Sequence, residues 1–216
     1  MEHRITALKV QKRNQQRVNV YLDGEFAFGL ARITAAWLSV GQVLSEEKIA
    51  QLQAEDELEK YYQRALRLLN YRPRTETEIS QYLQKKSASE DIIGIVLNRL
   101  KTSGLVDDER FAQNWVENRT ELRPRSRRAL VYELRQRGVS DEIIQDSIDQ
   151  TDDGDLAYQA ALRRARRITS LDWNEYRQKM LRYLAQRGFN YDVSNEAARR
   201  VWDEIHITEI NQGEEA

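Results

Sequence analysis

A chain that matches itself at a fixed offset of about fifty residues is committed to a small structural unit used several times over. Moving this sequence by 51 positions lays Arg72-Pro73-Arg74-Thr75 on Arg123-Pro124-Arg125-Ser126, Ile79 on Leu130, Leu83 on Leu134, Lys86 on Arg137, Ser89 on Ser140 and Ile92-Ile93 on Ile143-Ile144. A further 50 carries Leu134 to Leu184, Gln136 to Gln186, Arg137-Gly138 to Arg187-Gly188 and Ile143 to Val193. Each copy holds a helix ending in a basic residue, a tight stop and a capped second helix, and a further helix precedes it: Asp56 to Asn70, Asp108 to Arg119 and Asp155 to Ile168. Three three-helix modules in series follow. Units of this size have small cores, so neighbours must bury their remaining apolar stripes on each other, and the array is expected to be elongated and curved.

The first thirty residues obey a different period. Ile5, Leu8, Val10, Val18, Val20, Leu22, Phe26 and Phe28 favour every second position, which predicts strands with one buried face. Asp23-Gly24 is a pair that a type I′ hairpin demands, and Arg13 to Gln16 makes an earlier turn. A small three-stranded antiparallel sheet results, too small to stand alone. The fold class is therefore mostly α, with tandem three-helix modules preceded by this sheet. Its expected segments are 1–44 (sheet and short helix), 45–104, 105–152 and 153–206 (modules) and 207–216 (an acidic flexible tail). Ser45, Ser89, Asp107, Ser126, Ser140, Asp172 and Asn190 are candidate N-caps, Thr75 to Glu78 reads as a capping box, and Gly104, Gly138 and Gly188 stand where helices should stop.

Composition removes several classes of function. With no cysteine, neither a disulfide scaffold nor a thiolate metal site can form. No apolar run approaches the roughly 20 residues that cross a bilayer, and the start of the chain has no signal-type apolar segment, so a cytoplasmic protein without a membrane association is expected. Two histidines, His3 and His206, lack companions for catalysis or metal binding, and the scattered glycines form no phosphate-cradling loop. Asp149 to Asp155 resembles a calcium loop, but Ala160 stands where the bidentate glutamate is required. The expectation is no catalytic residues, no metal, no cofactor and no enzyme.

A formal net charge of −1 conceals segregation along the chain. Glu46 to Glu59 and Asp141 to Asp155 are acidic, whereas Arg72, Arg74, then Arg123, Arg125, Arg127, Arg128, Arg135 and Arg137, then Arg163, Arg164, Arg166 and Arg167 form basic clusters. These twelve arginines are the candidate partner-binding residues, because a guanidinium fork grips carboxylate or phosphate with two hydrogen bonds. Against this stands the plainer possibility that they are solvated faces beside helix caps. Helix pairs invite a helix-turn-helix reading, yet Glu90, Asp91, Asp141 and Glu142 sit where a recognition helix would meet phosphates, so major-groove reading is disfavoured. Tyr61, Tyr62, Phe111, Trp115, Trp173, Tyr183 and Trp202 are read as core packing before base stacking.

The chain resembles the RecX family of bacterial RecA regulators. The likeness rests on Arg72-Pro73-Arg74-Thr75-Glu76-Thr77-Glu78-Ile79 leading to Leu83, on Gly104-Leu105-Val106-Asp107-Asp108-Glu109-Arg110-Phe111-Ala112, on Tyr132-Glu133-Leu134-Arg135-Gln136-Arg137-Gly138-Val139, and on Arg187-Gly188-Phe189. It spans roughly Asp56 to Glu204, with Ser87 and Ser126 departing from glycines found at other stops or in relatives. The resemblance implies a protein that lies in the groove of the RecA nucleoprotein filament and restrains ATP hydrolysis and strand exchange, while the self-contained modules favour a monomer. The alternative is a stand-alone protein whose arginines follow the backbone of single- or double-stranded DNA, with a steep salt dependence as its mark. A hydrolase or nuclease would need a ligand cluster that the sequence does not offer.

Overall fold

The computed structural model describes residues 1–168 and 170–213. Strands β1 (Glu2–Val10), β2 (Arg17–Leu22), β3 (Glu25–Ala31) and β4 (Val43–Ser45) form one antiparallel sheet in the order β3-β2-β1-β4. The sheet has four strands where alternation predicts three. β4 is three residues long, too short for a period of two to register, and it is fixed by pairing with Glu2, His3 and Arg4. Asp23 and Gly24 both have positive φ (51° and 95°), as the type I′ turn requires. The Asp23 carboxylate accepts from Arg4 N at 3.0 Å and pairs with His3 Nδ1 at 2.8 Å, so His3 has a partner that the sequence did not reveal.

Between the sheet's edge and β4 lies a short helix, α1 (Arg32–Ala35). Ser45 then caps α2 (Glu46–Leu69) by accepting from Lys48 N. The helix expected from Asp56 is the second half of this single 24-residue element, because no proline or glycine interrupts the chain between Ser45 and Asn70. Leu52 of α2 joins Ile5, Val20, Leu30 and Leu44 in the core beneath the sheet.

The remaining helices are α3 (Glu76–Gln84), α4 (Glu90–Thr102), α5 (Asp108–Leu122), α6 (Arg127–Arg135), α7 (Asp141–Ile148), α8 (Asp153–Ala165), α9 (Trp173–Ala185) and α10 (Tyr191–Gly213). Ser89, Asp107, Ser126, Ser140, Asp172 and Asn190 each accept the capping hydrogen bond that the sequence assigns them. Thr75 Oγ1 likewise accepts from Glu78 N. Gly104, Gly138 and Gly188 lie at the expected stops with φ of 65°, 76° and 92°, and Ser87 takes the same left-handed conformation at 64°. After each of them the next amide bonds to the carbonyl five residues back, which closes the helix end.

Repeat positions are buried alike. Ile79 and Leu83, Leu130 and Leu134, and Met180 and Leu184 all have no exposed surface. Each such side chain is worth roughly 1.5–3 kcal/mol of transfer free energy. The chain is thus mostly helical, with three-helix repeats after a small antiparallel sheet, as the sequence predicts. It divides into two compact units, residues 1–74 with 79–106, and 75–78 with 107–216. The first holds the sheet core and a second cluster around Tyr61, Tyr62, Ile93, Val96 and Leu100. The second holds one cluster around Val116, Leu130 and Ile144 and another around Ala161, Tyr176 and Met180. Of the tail expected at 207–216, residues 214–216 lie outside the described residues, and α10 runs to Gly213. Among the described residues no helix is long and apolar enough to cross a membrane.

Candidate functional site

The Thr75 and Ser126 that close the repeated arginine motifs open two seats of the same design, both built from residues of the second compact unit, whereas Arg72 and Arg74 belong to the first. In one, Thr75 Oγ1 donates to Arg137 O at 2.6 Å, Thr77 Oγ1 donates to Gly138 O at 3.0 Å, and Asp108 Oδ1 accepts from Glu76 N at 2.9 Å. In the other, Ser126 N donates to Arg187 O at 3.1 Å and Asp153 Oδ1 accepts from Arg127 N at 2.7 Å. Helices α3 and α6 therefore each begin with a Thr or Ser cap, receive one carboxylate from a later helix, and meet an Arg-Gly stop. Asp108, readable from sequence as a charge suited to its own helix dipole, in fact holds the first turn of α3.

Close approach explains the glycines at these seats. A Cβ on Gly138 would collide with the Thr77 side chain, and one on Gly188 would lie 2.9 Å from Ala129 Cβ. Gly104 has open space around it, so only its φ argues for glycine there.

Many of the candidate arginines are engaged by the fold. The guanidinium groups of Arg119 and Arg137 both lie over the Trp115 ring, at 4.3 and 3.9 Å. Glu133 ties this stack together: its Oε2 accepts from Trp115 Nε1 at 2.9 Å and Arg119 Nε at 3.0 Å, and its Oε1 pairs with Arg125 Nε at 3.0 Å. Arg137 also pairs with Glu78 at 2.9 Å. A counterpart stands in the last repeat, where Tyr183 is flanked by Arg164 at 5.5 Å and Arg187 at 4.4 Å. Cation–ring contacts of this kind contribute on the order of 0.5–2 kcal/mol each. Arg127 Nη1 donates to Thr151 O at 2.6 Å, Arg135 pairs with Asp141 at 2.7 Å, and Arg72 Nη1 donates to Pro73 O. Arg74 is half-buried beside Arg72.

That leaves Arg123, Arg128, Arg163, Arg166 and Arg167 exposed and without an ion pair among the described residues. Arg163, Arg166 and Arg167 crowd the C-terminal end of α8, where the helix dipole favours positive charge. Arg119 and Glu133 were not singled out in the sequence. The four-residue spacing of Trp115 and Arg119 on one helix was the available signal.

Fold and site together define a tandem helical-repeat protein headed by a small sheet, with its charge invested in repeat junctions and in a set of exposed arginines. Four family models cover most of it: Regulatory protein RecX N-terminal domain at residues 3–45, and the first, second and third RecX three-helix domains at 62–100, 107–148 and 151–198. Regulatory protein RecX of Clostridium perfringens is 33% identical over 205 residues, 92% of this chain and 96% of that protein. Its counterpart in Bacillus subtilis is 29% identical over 205 residues, 91% and 76% of the two chains. A crystal structure of a regulatory protein RecX superposes with a TM-score of 0.68 at 28% identity, covering 93% of this chain and 99% of that one. RecX from Lactobacillus salivarius, at 23% identity and a TM-score of 0.57 over 68% of this chain, shares the fold. The chain belongs to the RecX family of regulatory proteins.

Proposed function

We propose that this protein regulates RecA by binding its nucleoprotein filament and slowing ATP hydrolysis and strand exchange, without catalysis of its own. The observation that supports the reading most is the division among the arginines. Arg125, Arg127, Arg135 and Arg137 satisfy internal acceptors, whereas Arg123, Arg128, Arg163, Arg166 and Arg167 are held out to solvent with no acceptor among the described residues. Exposed guanidinium groups suit acidic protein surface or DNA phosphate. Acidic blocks such as Asp141 to Asp155 would meet basic filament surface, and engagement of several protomers by one monomer in the cytoplasm would gain from multivalency. The modules at 45–104, 105–152 and 153–206 are the units proposed to bind.

The test is titration of the protein into RecA-coated single-stranded DNA while ATP hydrolysis is followed. Wild type should inhibit. The Arg123→Ala/Arg128→Ala variant and the Arg163→Ala/Arg166→Ala/Arg167→Ala variant should each inhibit several-fold less at unchanged circular dichroism. Full inhibition by both folded variants would reject these residues as the contact, and absence of any wild-type inhibition would reject the function.

A further inference from the structure

The sheet keeps part of one edge unpaired. On the outer side of β1, β4 pairs only with Glu2, His3 and Arg4. The loop before β4 reaches one residue further, where Ile5 N donates to Gln42 O and Ile5 O accepts from Gly41 N, both at 2.8 Å. Past Ile5 no strand pairs with this side of β1 among the described residues.

Register decides which main-chain groups this edge presents. Gln11 N donates to Arg17 O at 2.9 Å, so Gln11 and Arg17 are a hydrogen-bonded pair. The pairs Lys9 with Asn19 and Ala7 with Tyr21 share that orientation toward β2, because hydrogen-bonded and open pairs alternate along an antiparallel ladder. Leu8 and Val10 therefore turn their N–H and C=O groups outward. The irregularity between Ile5 and Ala7 resets the alternation, which is why Leu8 faces the same side as Ile5 although an odd number of residues separates their positions.

Side chains along the edge divide by face. Leu8 is half-buried against the core beneath the sheet, and Val10, on the same face, is 53% exposed although Val18 opposite it is buried. The core thus ends in an apolar ledge. On the other face Lys9 lies over the Tyr21 ring at 4.8 Å, which leaves its charge uncompensated. Lys12 and Arg13 follow in the turn, exposed and with no ion pair among the described residues.

These features select an occupant. Outward N–H and C=O groups at strand spacing are completed by another polypeptide main chain, whereas a phosphodiester backbone has acceptors but no N–H to give the Leu8 and Val10 carbonyls. A second copy of this chain fits poorly, because pairing β1 with itself would bring two sets of Lys9, Lys12 and Arg13 together. An extended segment alternating aliphatic and acidic side chains meets each requirement: its aliphatic residues cover Leu8 and Val10 on one face, and its carboxylates meet Lys9 on the other.

We propose that the unpaired edge of β1 binds an extended acidic segment of a partner protein as an added strand, with Leu8 and Val10 supplying the main-chain ladder and Lys9, Lys12 and Arg13 the charge. The site uses none of the arginines of the proposed filament contact and stands or falls independently of that reading.

The probe is a fluorescein-labelled peptide of about eight residues alternating valine with glutamate, titrated into the full chain without RecA and followed by anisotropy. A second peptide, N-methylated at its valines, keeps every side chain and charge but cannot donate to the Leu8 and Val10 carbonyls. Loss of these ladder hydrogen bonds should weaken binding at least about tenfold. Lys9→Gln/Lys12→Gln should weaken the parent peptide several-fold and flatten its dependence on salt. Amide hydrogen exchange read by NMR should slow at Leu8 and Val10 when the parent peptide is added, with Ala7 and Lys9, already bonded to β2, unchanged. Four results would each overturn the proposal: equal binding of the N-methylated and parent peptides, no added protection at Leu8 and Val10, protection of both by raised protein concentration alone, or their protection by oligo-dT and not by the peptide.

Discussion

Substituting Gly138 by alanine asks whether the seat at the start of α3 is held by close approach or merely by backbone conformation. Two costs add at this position. A residue with a Cβ at a φ of 76° carries the left-handed penalty of about 1–2 kcal/mol, reduced by about 0.4–1 kcal/mol because alanine also restricts the unfolded chain. The new methyl must in addition displace the Thr77 side chain, which itself donates a hydrogen bond to Gly138 O, and overpacking of this sort costs about 1–3 kcal/mol. Gly138→Ala should therefore lose about 2–4 kcal/mol. Gly104→Ala provides the reference, because it shares the helix-stop geometry with a φ of 65° but has no neighbour within 4 Å of the added carbon, and it should lose only about 0.5–1 kcal/mol. Since the chain divides into two compact units, urea unfolding by circular dichroism should be paired with hydrogen exchange of α4 and α6. Adding Thr77→Gly, which removes the Cβ as well as the outer atoms that collide, to Gly138→Ala should recover part of the loss, and the double-mutant cycle should show coupling of at least about 0.5 kcal/mol. Equal losses at the two glycines, or strict additivity with Thr77→Gly, would refute the reasoning.

Asp56 is buried, and although burial raises its carboxyl pKa, hydrogen bonds from Arg17, Lys60 and Ala31 N outweigh it and hold the group below the ordinary carboxylate range. A folded-state pKa below the unfolded one means that its stabilisation is fully present above the unfolded value, near pH 4, and is lost as pH falls through the folded value. Asp56→Ala should cost about 3–5 kcal/mol at neutral pH, and Asp56→Asn should flatten the acid limb of a stability-pH profile; a steep limb in the Asn variant would show that other carboxylates set it. Ser87→Gly, which removes the left-handed strain of a side chain at φ 64°, should stabilise the first unit by about 0.5–1 kcal/mol in hydrogen exchange of α3 and α4, and a loss of protection would contradict the strain.

The architecture was legible because helix ends are chemically explicit. A cap needs an oxygen at the right residue and a stop needs a left-handed residue, so Ser126, Ser140, Gly138 and Gly188 announce boundaries whatever surrounds them. β4 was not legible, since three residues contain no period, and neither was the fusion of two expected helices into α2, since continuity is marked only by the lack of a breaker. The arginines illustrate a harder limit. Arg123 and Arg125 stand two apart in one motif, yet Arg125 pairs with Glu133 while Arg123 faces solvent, a distinction set by residues eight to ten positions away on another helix turn. A cleft beside α2, lined by Arg32, Arg64 and Arg67, was hidden for a related reason. Glu55, Asp56, Glu57 and Glu59 dominate that stretch when charges are counted along the chain, but folding pairs Asp56 and Glu59 internally and leaves Arg64 and Arg67 facing Arg32 from a different element. A charge run read in sequence therefore reports what a segment contains, whereas the surface field depends on which charges the fold has already neutralised, and in this chain that subtraction reverses the sign of the α2 face.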